Sequence, residues 1–161
     1  FGVVPRMVIW GLLGMAISMA MTVFAAGIPA FIKGMGGEAL VAEFATEGLS
    51  WGKFIVALSI SVMMNTFFAP VFMTFHKITD AHIAENGGSL KALITPIDMR
   101  RQITSLNWDR QWSFIFKKTI PLFWYPAHTI TFMLPGELRV LFAALLGVAL
   151  GVILAIGARK K

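Results

Sequence analysis

Cysteine is absent from this chain, and charged residues are scarce. None of the 161 residues is a cysteine, which excludes disulfide bonds, thiolate metal sites and cysteine nucleophiles. Charged side chains make up 14% of the chain, against 57% hydrophobic residues. Soluble domains carry about 25% charged residues, so this composition argues against a soluble globular protein.

Long stretches without any charged residue fill more than half of the chain. They cover residues 7–32, 54–75, 119–134 and 140–158. A helix needs about 20 apolar residues to cross a bilayer, and its backbone must satisfy its own hydrogen bonds there. The third stretch is short and contains Pro121 and Pro126, but residues 113–118 can extend it.

These stretches predict an all-α fold, a polytopic four-helix transmembrane bundle that forms one domain over residues 1–161. The predicted spans are residues 7–32, 54–75, 113–134 and 140–158, with an inner loop over 76–112. The first stretch is too long for the core of a signal peptide, so we interpret it as a true span.

The basic residues favour one orientation of these spans. If the N-terminus lies inside, eleven of the fourteen lysines and arginines lie on the inner side. Because cytoplasmic loops are enriched in Lys and Arg, we expect both termini on the cytoplasmic side, or on the matrix side of an organelle. The predicted location is a bacterial inner membrane or an organellar inner membrane.

The second half of the inner loop resembles an amphipathic interfacial helix. From Asp98 onward, apolar residues can face lipid, tryptophans can sit at headgroup level, and basic side chains can reach phosphates. The predicted interfacial residues are Arg100, Arg101, Trp108, Arg110, Trp112, Lys117 and Lys118. We therefore interpret the net charge of +6 as contact with the bilayer and its anionic headgroups, not with nucleic acid.

Small residues recur every four positions in the fourth stretch, a pattern that lets two helix backbones approach closely. They are Ala143, Gly147, Gly151 and Ala155. This ridge predicts a helix-packing face, used either within the chain or against another chain. The expected partners are further copies in a homo-oligomer or other membrane subunits.

Four polar side chains lie inside the predicted second and third spans, where polar groups are costly. They are Asn65, His128, Thr129 and Thr131. One interpretation is a polar seam that lines a water-filled path. The alternative is a set of interhelical hydrogen bonds that hold the bundle together, each contributing about 0.6–2 kcal/mol.

The sequence offers little support for a metal site, a cofactor or catalysis. His76 and Asp80 are one helical turn apart with His82 nearby, but a metal site needs three convergent ligands, and His128 is at another depth. We expect an interfacial His–Asp pair instead. No serine lies on a sharp turn beside a histidine, and no glycine-rich loop follows a strand. We expect no metal, no cofactor and no enzymatic activity.

Two segments resemble a known membrane protein family. Residues 64–70 read Met-Asn-Thr-Phe-Phe-Ala-Pro, which is similar to a D-Q-x-x-F-A-P stretch before a membrane helix. Residues 124–132 place Trp-Tyr-Pro before His-Thr-Ile-Thr-Phe, similar to a Trp-Pro region followed by Q-x-x-N-F. Residues 135–143 then supply the proline and Arg-Val of a hairpin. The family is that of the Mpv-seventeen mitochondrial inner-membrane protein and the twenty-two-kilodalton peroxisomal membrane protein.

The chain departs from that family's pattern at several positions. Met64 replaces an acidic residue, Asn65 stands where glutamine is usual, and His128 and Thr131 occupy the glutamine and asparagine positions. The usual W-N-x-x-L-S ending is absent, since residues 151–154 read Gly-Val-Ile-Leu. The resemblance thus implies a divergent member with four spans, of a family proposed to form channels or to support metabolite movement.

Two functional hypotheses follow. The first is a small pore-forming or metabolite-transport-associated protein that is oligomeric and has Asn65, His128, Thr129 and Thr131 on its polar path. The alternative is an accessory or scaffold subunit of a larger membrane complex with no transport activity of its own.

Overall fold

A computed structural model of the protein describes residues 2–139, 141–142 and 145–146. Within this part of the chain the fold is helical and contains no strand, which confirms the all-α prediction for these residues. Its elements are α1 (Val3–Gly34), α2 (Glu38–Phe44), α3 (Trp51–Glu85), a 3-10 helix (Leu90–Leu93), α4 (Met99–Ser105), α5 (Trp108–Arg110), a π-helical segment (Gln111–Trp124) and α6 (Tyr125–Met133).

Two of these helices, α1 and α3, are long and apolar enough to cross a membrane. They contain 32 and 35 residues, which at 1.5 Å per residue gives lengths of about 48 and 52 Å. Both extend beyond the predicted spans 7–32 and 54–75. Hydropathy marks the part of a helix that suits lipid, whereas the helix continues until its backbone is interrupted. In α3 that interruption follows at Gly87 and Gly88, which have φ angles of 63° and 69°.

The start of α3 is tied to α2 by side-chain caps. The Ser50 hydroxyl accepts a hydrogen bond from the Lys53 backbone N–H at 3.0 Å, and Glu43 Oε2 accepts one from the Gly52 N–H at 2.8 Å. The Lys53 ammonium donates to the Thr46 carbonyl at 2.9 Å. These contacts satisfy helix-terminal N–H groups that have no partner inside the helix, and they hold α2 against α3.

The core lies where α1, α2 and α6 meet α3. Its buried members are Val56, Ala57, Ile60, Met64 and Phe132. Helix α1 contributes one stripe of half-buried residues, namely Met21, Phe24, Ala25, Ile28 and Ile32. Because these residues recur every three or four positions, one face of α1 packs on α3 and the remaining faces point outward.

The region predicted as one amphipathic helix followed by a third span consists of several shorter pieces. Helix α4 ends at Ser105, and the Asn107 side chain then caps a new helix by accepting from the Arg110 N–H at 2.9 Å. The helix widens to π geometry before Trp124, and Thr119 Oγ1 donates to a carbonyl five residues back, that of Phe114, at 3.2 Å. The side-chain cap at Asn107 therefore divides a segment that its hydropathy pattern predicted to be one continuous helix.

The predicted fourth span, residues 140–158, lies almost wholly outside the described residues, and so does its ridge of Ala143, Gly147, Gly151 and Ala155. Just before it, Arg139 binds the end of α6. Its Nε donates to the Leu134 carbonyl at 2.9 Å and its Nη2 to that of Phe132 at 3.3 Å. A cation at a helix C-terminus complements the unpaired carbonyls there.

Candidate functional site: a polar cluster between α3 and α6

The centre of the site is the side-chain amide of Asn65, which is only 2% exposed. Its Nδ2 donates to the Ser61 carbonyl at 2.8 Å and lies 2.9 Å from Nδ1 of His128. Its Oδ1 lies 3.1 Å from the same ring nitrogen. The tautomer of the neutral imidazole sets the roles: Nδ1 accepts from Nδ2 when the ring proton is on Nε2, and donates to Oδ1 when the proton is on Nδ1. The α3 amide thus contacts the α6 imidazole directly.

A backbone carbonyl forms the second connection between the two helices. The Tyr125 carbonyl accepts from the Ser61 hydroxyl at 2.8 Å and from the Thr129 hydroxyl at 2.7 Å. A carbonyl oxygen has two lone pairs and accommodates both donors. We call Ser61, Asn65, Tyr125, His128 and Thr129 the polar cluster.

A pair of hydroxyl groups extends the polar cluster to the outer surface. Thr66 Oγ1 and the Tyr125 phenol oxygen are 2.7 Å apart. Thr66 is exposed and lies near the middle of α3, with fifteen residues before it in the helix and nineteen after it. Polar atoms therefore reach the surface at a level where the neighbouring side chains are apolar.

Thr131 is separate from the polar cluster. It is fully buried, and its hydroxyl donates to the Ala127 carbonyl of its own helix at 2.9 Å. Of the four predicted seam residues, the structure brings Asn65, His128 and Thr129 together, and it places Thr131 in a closed contact within α6.

Trp124 covers one face of His128. The two rings are stacked at a centroid distance of 5.1 Å with an interplanar angle of 21°. Within the described part of the chain, the buried Nε1 of Trp124 has no hydrogen-bond partner. Nε2 of His128 likewise makes no hydrogen bond to a described residue. Trp124 Nε1 and His128 Nε2 are therefore available for hydrogen bonds to groups other than the described residues.

Sequence reasoning missed Ser61, Thr66 and Tyr125. A usable signal was present, since Ser61 lies one helical turn before Asn65, and Tyr125 lies one turn before Thr129. Residues four apart share a helix face. The backbone carbonyl of Tyr125 had no signal in the sequence, because any residue type supplies that acceptor.

The predicted interfacial residues follow one another along α4, α5 and the π-helical segment. Arg101 Nη2 contacts Glu85 Oε1 at 3.1 Å, and the Lys117 ammonium lies 5.7 Å from the centroid of the Trp112 ring. The Trp108 indole N–H donates to the Ile103 carbonyl at 2.9 Å. The side chains of Arg100, Arg110 and Lys118 are exposed and make no ion pair with a described residue.

The predicted His–Asp pair lies where α1 and α3 meet. His76 Nε2 is 3.6 Å from Asp80 Oδ2, and Arg6 Nε is 3.7 Å from Asp80 Oδ1. Trp10 packs edge-on against His76 with ring centroids 4.4 Å apart. Nearby, His82 Nε2 lies 3.1 Å from the Ala92 carbonyl. Among the described residues, no group of three or more His, Asp or Glu side chains is arranged to hold a metal ion.

No family model, curated protein or solved structure matches this chain.

Proposed function

We propose that the protein is a membrane-embedded accessory or scaffold subunit that acts through its outer surface. The observation that carries this proposal is the set of hydrogen bonds by which the polar cluster joins α3 to α6. Ser61 donates to the Tyr125 carbonyl at 2.8 Å, and Asn65 Nδ2 lies 2.9 Å from Nδ1 of His128. Hydrogen bonds of this kind between membrane helices stabilise a bundle by about 0.6–2 kcal/mol each.

The outer surface supports this proposal. In the most apolar stretch of α1, only 11% of the residues are buried. Large apolar side chains project from it along its whole length, among them Met7, Met15, Met19 and Val23. In a bilayer such a surface contacts either lipid or helices of another protein. Since the polar side chains between α3 and α6 hold these helices together, the outer surface is the region available for recognition.

The proposed arrangement in the membrane has four spans, with residues 140–158 as the last and both termini on the cytoplasmic or matrix side. The membrane is a bacterial inner membrane or an organellar inner membrane. Divergent membership of the Mpv-seventeen family belongs to the same proposal, because Asn65 and His128 of the polar cluster stand at positions where that family's pattern has other polar residues.

A second candidate function is a pore or transport-associated oligomer, and one observation favours it. The hydroxyls of Thr66 and Tyr125 meet at the exposed surface, and Nε2 of His128 has no partner among the described residues. Several copies that turned this face toward a shared axis would line a polar path between chains.

The mass of the particle extracted in native nanodiscs separates the two functions. An accessory subunit is expected to co-purify with another membrane protein in fixed stoichiometry. A particle made of this chain alone, with solute flux in liposomes that His128→Ala changes and Ser59→Ala does not, would contradict the proposal and establish the pore. Ser59 is a suitable control because its hydroxyl binds the Ile55 carbonyl of its own helix at 2.8 Å.

A further inference from the structure

An apolar groove of about 350 Å³ lies between the second half of α3 and the segment that follows it. Its lining comes from α3, from α4 and from the π-helical segment. The main contributors are Pro70, Val71, Phe75, Met99, Ile103 and Phe116. The volume is within the range of about 300–1,000 Å³ that is typical of small-molecule sites.

The surface of the groove is apolar, including at Thr74, the one polar residue that lines it. Thr74 borders it, but the Thr74 hydroxyl donates to the Pro70 carbonyl at 2.8 Å. That hydroxyl is therefore turned back onto α3, and the groove offers no free polar group from this position. An occupant must be apolar along its length.

Charge-assisted contacts between α4 and the end of α3 hold one wall of the groove in place. Glu85 accepts from the Arg101 guanidinium at 3.1 Å and from Gln102 Nε2 at 2.7 Å. Gln102 is only 1% exposed. Because these contacts fix α4 against the end of α3, the groove is formed before any ligand enters it, which reduces the ordering cost of binding.

Three cations follow lining residues of the groove in the sequence. Arg100 comes directly after Met99, and Lys117 and Lys118 come directly after Phe116. All three side chains are exposed. Arg100 and Lys118 form no ion pair with a described residue, in contrast to Arg101. An apolar groove beside unpaired cations fits a ligand with an apolar tail and an anionic head.

The direction of the groove fits a lipid in a bilayer. It follows α3 from Pro70 to Ile78, a rise of about 12 Å. The Pro70 end lies among apolar residues, and the Ile78 end lies beside Lys77 and Asp80, where the polar part of the chain begins. The groove thus runs from an interfacial level toward the hydrocarbon.

We propose that this groove retains one acyl chain of an anionic phospholipid, whose phosphate is bound by Arg100, Lys117 and Lys118. This inference rests on the membrane placement proposed above, but it does not depend on a partner protein. Its failure is therefore distinguishable from failure of the accessory role.

The test is native mass spectrometry of the purified full-length chain, released from nanodiscs that contain equal amounts of phosphatidylglycerol and phosphatidylcholine. We expect one retained phosphatidylglycerol per chain. Val71→Trp should abolish retention by filling the groove, and it should not disturb folding because Val71 is 68% exposed. Val23→Trp is the matched control, since Val23 is 64% exposed on α1, away from the groove.

Charge variants test the headgroup. One basic residue near an anionic surface contributes about 1 kcal/mol, which corresponds to a factor of about five in binding. Arg100→Gln and Lys117→Gln should each reduce the preference for phosphatidylglycerol by about fivefold. The control is Lys33→Gln, in the last turn of α1, which should leave the preference unchanged.

Three results would overturn the proposal. They are no retained lipid, equal loss of lipid in Val71→Trp and Val23→Trp, or retention without preference for phosphatidylglycerol. A photo-cross-linking residue at position 75 adds an independent check. It should label lipid, and cross-linking to residues 147–161 of the same chain would show that the protein itself fills the groove.

Discussion

At the level of the core, helix α3 contacts α1 and α6 through different chemistry. There its contact with α1 is made by apolar residues such as Phe24, Ile28 and Ile60, and the ion pair between Arg6 and Asp80 lies at the other end of α1. Its contact with α6 adds hydrogen bonds from Ser61 and Asn65. Apolar packing in lipid gives little preference for one register, because the hydrocarbon is as apolar as the side chains. Hydrogen bonds require specific atoms to meet. The comparison shows which pair is fixed in register, namely α3 and α6.

Asn65→Leu should have the largest effect on this comparison. The substitution removes the contacts to Ser61 and His128 and leaves a buried ring nitrogen without its partner, which costs about 1–3 kcal/mol. Unfolding in a detergent titration, followed by circular dichroism, measures the loss. Ser59→Ala is the control, with a change below about 0.5 kcal/mol. Equal stability of Asn65→Leu and the parent protein would show that the amide does not fasten α3 to α6.

A double-mutant cycle between Asn65 and His128 measures the coupling energy of this one contact, which should be smaller than the stability loss of Asn65→Leu. Because the two side chains are in direct contact at 2.9 Å, we expect a coupling energy of about 0.6–1.7 kcal/mol. The variants are Asn65→Leu, His128→Leu and the double substitution, measured in the same titration. Strict additivity of the two single changes would rule out the direct contact.

Removing the exposed hydroxyl pair should change stability by less than the substitutions above. Thr66→Val and Tyr125→Phe each delete one hydroxyl while keeping shape, and interhelical hydrogen bonds in membranes average about 0.6 kcal/mol. Loss of a co-purifying subunit in these variants, at nearly unchanged stability, would locate the partner on this face. A stability loss well above 1 kcal/mol would instead mean that the hydroxyl pair contributes to holding α3 against α6, like the buried residues of the polar cluster.

The hydroxyls of α1 should matter least. Ser18 and Thr22 donate to the Gly14 and Ser18 carbonyls of their own helix at 3.1 and 2.9 Å, and both are exposed. Ser18→Ala and Thr22→Val should therefore alter stability by less than about 0.5 kcal/mol in the same titration. A larger loss from either variant would show that α1 also makes polar contacts through its middle turns, and the contrast between the two helix pairs at the level of the core would fail.

Hydropathy predicted much of the helical architecture, but the sequence predicted a smaller part of the polar cluster. Runs without charge located α1 and α3, since burying an unpaired charge in lipid is costly whatever the tertiary contacts. The break at Asn107 depends on a local cap that competes with helix continuation. For the cluster, a position inside the predicted second and third spans singled out Asn65 and His128. The role of the Tyr125 carbonyl depends on how α3 and α6 align, which is a tertiary property.

The same limit applies to the predicted interfacial residues. Their basic and aromatic composition placed them together along one segment, but composition did not distinguish Arg101, which binds Glu85, from Arg100, which has no ion-pair partner among the described residues. That distinction depends on Glu85 at the end of α3, sixteen residues earlier in the chain.

The absence of native cysteine allows the central claim to be tested directly. If the polar cluster fastens α3 to α6 and does not line a path, a single cysteine at Thr129 or Thr131 should not react with a membrane-impermeant maleimide, because these positions are 4% and 0% exposed. Thr95→Cys, at an exposed loop position, should react fully and serve as the control. Rapid labelling at positions 129 and 131 from the aqueous side would contradict the account and restore the water-filled seam.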